Sequence, residues 1–175
     1  MFSISTGSRV HTQRLTTLFS EPIFHPLADG ELGGEIAAMA ATPWRGLPDN
    51  DEDDLRPIDA FAGEGGMGLL FQNDDGILTS MVHPFSAPLV DVSITNFQGD
   101  GPDATPWTCL VNSNGKGFIA AAPTTTGTAL DIYEMPLEGT ADRCSIAPFE
   151  PDVIVAAFRT DVGLELAEFP RSAAR

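Results

Sequence analysis

The chain has 175 residues, 42% of them hydrophobic, and 25 acidic side chains against 9 basic ones. That length suits one domain with its own core, the apolar content excludes a disordered chain, and no apolar run is long enough for a membrane-spanning helix. The net charge of −16 is unevenly spread: residues 1–20 hold Arg9 and Arg14 and no acid, the tail holds Arg171 and Arg175, and residues 21–170 hold every acid for a net −20. A body of that sign repels phosphate backbones, which argues against direct nucleic-acid binding.

The first stretch, MFSISTGSRVHTQRLTTLF, lacks the continuous apolar segment of a secretory signal. A soluble location, in the cytoplasm or in a virion, is therefore expected, with no membrane partner. Residues 1–20 alternate apolar and small polar groups and read as an extended N-terminal arm, with one β-strand as the regular element it could hold.

Residues 21–67 read as an irregular segment. Pro22 and Pro26 exclude a regular helix early on, and Asp29-Gly30 marks a turn. Glu31 to Ala41 (ELGGEIAAMAA) is the best helix candidate, because Leu32, Ile36 and Met39 fall on one stripe and Glu31 and Glu35 sit at the end that favours negative charge. Gly33 and Gly34 weaken it by about 1 kcal/mol each relative to Ala. An acidic loop, WRGLPDNDEDDLRP, follows, and Pro57 to Ala62 reads as a short helix opened by a tolerated proline.

From residue 68 to 175 the pattern is that of an antiparallel β core. Leu69 to Phe71 and Ile77 to Val82 flank Asn73-Asp-Asp-Gly76, a hairpin signal. Val90, Val92 and Ile94 alternate with polar residues, as in a strand with one buried face. Trp107 to Val111 and Phe118 to Ala121 pair across Asn112-Ser-Asn-Gly-Lys-Gly, and a further strand covers Leu130 to Met135. Val153 to Phe158 and Leu164 to Phe169 close the chain around Asp161-Val-Gly163. About eight strands at this spacing predict a mainly β fold, an antiparallel sandwich or barrel with an extended arm and one or two short helices.

Motifs with chemistry are scarce. Gly63-Glu-Gly65-Gly-Met-Gly68 fits the GxGxxG string, but a dinucleotide site needs a strand before it and a helix after it, and here the predicted order is reversed. A turn entering the β core is the better reading. Asp49, Asp51 and Asp53 match the opening of a calcium loop, because hard cations collect carboxylate oxygens. The sixth position is Asp54 where glycine is needed and the twelfth is Ala60 where glutamate is needed, so weak surface calcium is the most this loop offers beside a plain solvated loop. His11, His25 and His83 stand at no metal-ligand spacing; His25 and His83 each precede proline, which favours strand ends. No hydrolase elbow or Cys–His context is present, and Asn114-Gly115-Lys116-Gly117 lacks the remaining parts of a phosphate loop. Cys109 and Cys144 form no CxxC pair and read as two buried thiols, with one disulfide as the alternative.

Trp44 and Trp107 each follow a proline at a loop edge, where a tryptophan either caps a core or anchors a contact. With no catalytic residue, cofactor site or firm metal site nominated, three functions remain. The first is a non-enzymatic structural protein of a symmetric assembly, such as a capsid decoration or tail component of a virion. It would bind copies of itself or neighbouring proteins through its arm, its β edges and the candidates Arg9, Arg14, Trp44 and Trp107. The second is a carbohydrate- or small-ligand-binding β module that stacks ligand on Trp44, Trp107 or Tyr133. The third is a small β-barrel enzyme whose acids and histidines converge only in three dimensions.

Overall fold

A computed structural model describes residues 2–6, 9–13, 23–26, 34–41, 56–72, 78–96, 106–121, 130–150 and 153–170. Every regular element among them is a β-strand, and all neighbouring strands pair antiparallel. An N-terminal sheet holds β1 (Phe2–Thr6), β2 (Arg9–Gln13) and β3 (Ile23–Pro26) in that order. A second sheet runs β4 (Ile36–Ala41), β5 (Arg56–Gly63), β6 (Gly66–Gln72) and β7 (Leu78–Pro84). The central sheet has the order β11-β10-β9-β8, from β8 (Leu89–Asn96), β9 (Pro106–Asn112), β10 (Gly117–Ala121) and β11 (Asp131–Glu134). The outer sheet runs β12 (Ala141–Glu150), β13 (Val153–Thr160) and β14 (Gly163–Pro170).

The central sheet is covered on both faces. Strand β9, PWTCLVN, is buried along its whole length, which explains why it reads as a run with little polar alternation. Its residues Trp107, Cys109 and Val111 pack with Ile119 and Ala121 of β10 against Ile146, Ile154, Ala156 and Phe158 of the outer sheet. Leu110, between them, points the other way and joins Val92, Ile94 and Ala120 against Ala60, Ala62, Met67 and Leu69. The fold is therefore a β-sandwich of three layers sharing one middle sheet. Each fully buried large side chain contributes about 1.5–3 kcal/mol to holding a layer in place.

Both predicted helices are corrected to strands. Ile36–Ala41 is β4 and Arg56–Gly63 is β5, and the two pair with each other. The apolar stripe at Leu32, Ile36 and Met39 was spaced for a helix, but the alanines of β4 and β5 leave little side chain between them and β8. The Cα atoms of β4 and β5 come within 8 Å of that strand. Tertiary packing thus overrides the helix preference of alanine. No helix among the described residues is long and apolar enough to cross a membrane.

The predicted hairpins are present. Gln72 lies opposite Leu78 across residues 73–77, Val111 opposite Gly117, and Thr160 opposite Gly163. In the middle one the Asn112 side chain shapes the turn, its Oδ1 accepting the amides of Asn114 at 3.1 Å and Lys116 at 3.0 Å. Gly117 then starts β10 where a side chain would not fit, since a Cβ there would stand 2.7 Å from the Phe158 ring and 2.8 Å from Leu137. Residues 1–20 contribute two strands, β1 and β2, paired with each other and, through β2, with β3.

Two strands have no counterpart in the sequence reading, β3 within the stretch read as irregular and β12. Strand β12 joins the outer sheet to the central one, although its sequence, ADRCSIAPFE, has little alternation and contains Pro148. Register shifts between Ala141 and Arg143 and between Pro148 and Glu150 show how it accommodates both.

Candidate interaction surface

The two edges of the outer sheet are treated differently. At the β12 edge the backbone is stitched to side chains of β8. The Cys144 amide donates to Asp91 Oδ2 at 2.8 Å and the Ile146 amide donates to Ser93 Oγ at 3.3 Å. Arg143 also donates to Asp91, at 3.2 Å. These bonds satisfy edge amides that would otherwise require water or another strand. At the opposite edge β14 has β13 on one side and, among the described residues, no strand on the other.

The outward face beside that open edge is apolar. Burial alternates along β13, with Ile154, Ala156 and Phe158 buried and Val153, Val155 and Ala157 half-buried on the other face. Leu166 lies opposite Ala157 and Glu168 opposite Val155, so the outward row of β14 is Leu164, Leu166 and Glu168. Leu164 is 68% exposed and Leu166 65%, with Val162 in the preceding turn at 65% and Phe149 of β12 at 71%. Among the large hydrophobic residues whose side chains are described, one other, Tyr133 at 43%, is exposed, so among those side chains this surface is concentrated on a single sheet. A cluster of exposed apolar side chains on one sheet marks a contact surface more often than scattered ones do.

Polar contacts fix the shape of the sheet. Glu165, on the inward row of β14, accepts the Glu138 amide at 2.8 Å and the Gly139 amide at 3.1 Å. These bonds, the Glu138 one first, hold its carboxyl below the ordinary value of 4.5. Next to Leu164 on β13, Arg159 forms a two-point pair with Asp142, Nε to Oδ1 at 2.7 Å and a terminal nitrogen to Oδ2 at 2.6 Å. The Arg159 hydrogen bond holds the Asp142 carboxyl below its ordinary 3.8.

The residues nominated from sequence fall in several places. Trp107 is 2% exposed and packs against Phe169, ring centroids 5.8 Å apart, so it caps the core and is not available as a surface anchor or stacking platform. Arg9 opens β2, its backbone opposite Thr6 and Pro26. Arg14, Trp44, Asp49, Asp51 and Asp53 lie outside the described residues. His25 and His83 stand next to the closing prolines of β3 and β7, and the His83 ring meets Phe85 edge-on at 5.6 Å. Among the described residues no group of three or more His, Cys, Asp and Glu side chains is placed to hold a metal ion.

The GxGxxG string is a hairpin turn. Gly63 and Gly66 pair across Glu64-Gly65, and Gly66 has φ 142°. A Cβ at Gly63 would run into the Glu35 carbonyl of β4's approach, and one at Gly66 into the His83 carbonyl of β7. The glycines therefore serve close packing of neighbouring backbones.

Sequence reasoning passed over Leu164, Leu166, Val162 and Phe149. A signal was present in GLELAEFP: Leu164 and Leu166 share one face while Phe169 takes the other, so a single buried face cannot absorb all three. No family model matches this chain. No curated protein matches it either.

Proposed function

We propose that this protein is a non-enzymatic structural subunit that assembles with further copies of itself through the open edge and apolar face of its outer sheet. The observation that carries the reading is the exposure of Leu164, Leu166 and Val162 at the open edge of β14, with Phe149 also exposed on β12 of the same sheet. An edge strand offers a row of backbone donors and acceptors, so a second strand gains main-chain hydrogen bonds there, and adjacent apolar side chains are buried at the same time. A two-fold pairing of β14 with its copy, centred on Leu166, sets Leu166 against Leu166 and Leu164 against Glu168. The N-terminal arm is the second contact in this reading, with Arg9 and Arg14 seated on a neighbour's acidic body. Capsid decoration or tail particles are the class of assembly proposed.

Light scattering on the purified full-length chain tests it. The expected result is an oligomer that becomes a folded monomer in the Leu164→Ser/Leu166→Ser variant and on removal of residues 1–20. Because each copy carries a net −16, raising the salt concentration should strengthen association by screening that repulsion. A full-length protein that stays monomeric at high concentration and high salt sinks the proposal. The carbohydrate-binding alternative loses Trp107 to the core and retains exposed Tyr133 on β11.

A further inference from the structure

Cys109 and Cys144 are far apart in sequence and sit on different layers, Cys109 on β9 of the central sheet and Cys144 on β12 of the outer sheet. Three observations bring them together. Cys144 packs against the cluster that contains Cys109. Strand β12 is held over the β8–β9 face by the bonds from the Cys144 amide to Asp91 and from the Ile146 amide to Ser93, and Ser93 is the direct cross-strand neighbour of Cys109. The neighbouring Cys109 thiol is the first cause that pushes the Cys144 thiol up. Both are free thiols in this structure.

We propose that Cys109 and Cys144 are a modification site, closing into an interlayer disulfide when the chain meets a small-molecule disulfide oxidant. The bond would tie the outer sheet to the central sheet at the point where β12 already crosses β8 and β9. Its chemistry is two successive exchanges. The Cys144 thiol, partly buried where Cys109 is fully buried, gives up its proton and attacks one sulfur of the oxidant, breaking the S–S bond and releasing one thiolate, which takes up a proton. The Cys109 thiol then loses its proton and attacks the Cys144 sulfur in that mixed disulfide, expelling the second thiol. Two protein thiols are oxidised and one small-molecule disulfide is reduced to two thiols.

In the folded chain the reaction is slow, because the neighbouring Cys109 thiol and burial both push the Cys144 thiol up and disfavour the attacking thiolate. The equilibrium nevertheless favours closure, because folding has already brought together two sulfurs separated by a long loop of chain.

The test uses the full-length chain, unfolded and reduced, then refolded in buffers of reduced and oxidised glutathione, so that access to the thiols does not limit the reaction. After acid quenching, intact mass and peptide mapping report the species. The expected product is a chain lighter by two hydrogen atoms with the Cys109 and Cys144 peptides joined. The equilibrium constant for closure should exceed that of the same chain kept in urea by about a hundred-fold or more. The Cys144→Ser variant should give no such product and should accept at most one glutathione. Closure that is no more favourable in the folded chain than in urea overturns the proposal, as does accumulation of glutathione adducts on folded protein.

Discussion

The central and outer sheets use the same kind of strand for opposite purposes. Strand β9 is buried on both faces, every residue from Pro106 to Asn112 being buried. Strand β14, at the far edge of the outer sheet, turns Phe169 and Ala167 inward but leaves Leu164 and Leu166 in solvent. Apolar residues on both faces of β9 hold three layers together. Apolar residues on both faces of β14 have only one layer to pack against, which leaves one apolar row exposed. The difference teaches that apolar content in a strand indicates burial only when the number of covering layers is known.

Breaking the packing between the two sheets should have the largest effect. Phe158 is fully buried and fills the space above Gly117 of the central sheet, so Phe158→Ala should cost about 3–5 kcal/mol in urea unfolding. The next effect belongs to the stitched edge. Asp91→Ala removes the acceptor of the Cys144 amide and the partner of Arg143, and should cost about 1–3 kcal/mol, whereas Asp91→Asn keeps an acceptor oxygen and should recover part of it. The open edge should behave in the contrary way. Leu164→Ser/Leu166→Ser should change monomer stability by no more than about 0.5 kcal/mol per site while weakening association, because those side chains touch little in the single chain.

The smallest effect concerns Glu165. Its carboxyl is held below 4.5 by the Glu138 and Gly139 amides, so its contribution to stability is present above that value and is lost as the pH falls through the lower folded value. Thermal unfolding followed from neutral pH down to below pH 4.5 should show a shallower acid-side decline in Glu165→Gln than in the parent. Since the group is exposed, added salt should reduce the difference.

Much of the β core was legible because turn chemistry is local. Asn73 to Gly76, Asn112 to Gly117 and Asp161 to Gly163 each announce a hairpin, and the strands on either side of each one pair. The misread regions fail for a shared physical reason. Alanine-rich β4 and β5 resemble helices because a single sequence does not reveal that a neighbouring strand needs small side chains to come close. Strand β12 was invisible because its edge is satisfied by Asp91 and Ser93, contacts more than fifty residues away in sequence. The exposed surface escaped notice for a similar reason: GLELAEFP declares a strand but does not say how many layers flank it. Trp107 shows the converse, a residue whose flanking proline suggests a loop edge and whose strand lies in the middle of the sandwich.

The central claim, that β14 is the edge where copies meet, is tested most directly by amide hydrogen exchange on the full-length chain at low and high protein concentration. The account predicts that the amides of β9 are protected equally at both, while those of Gly163–Pro170 gain protection as the concentration rises. Oligomers that form with no change in exchange along β14 would contradict it.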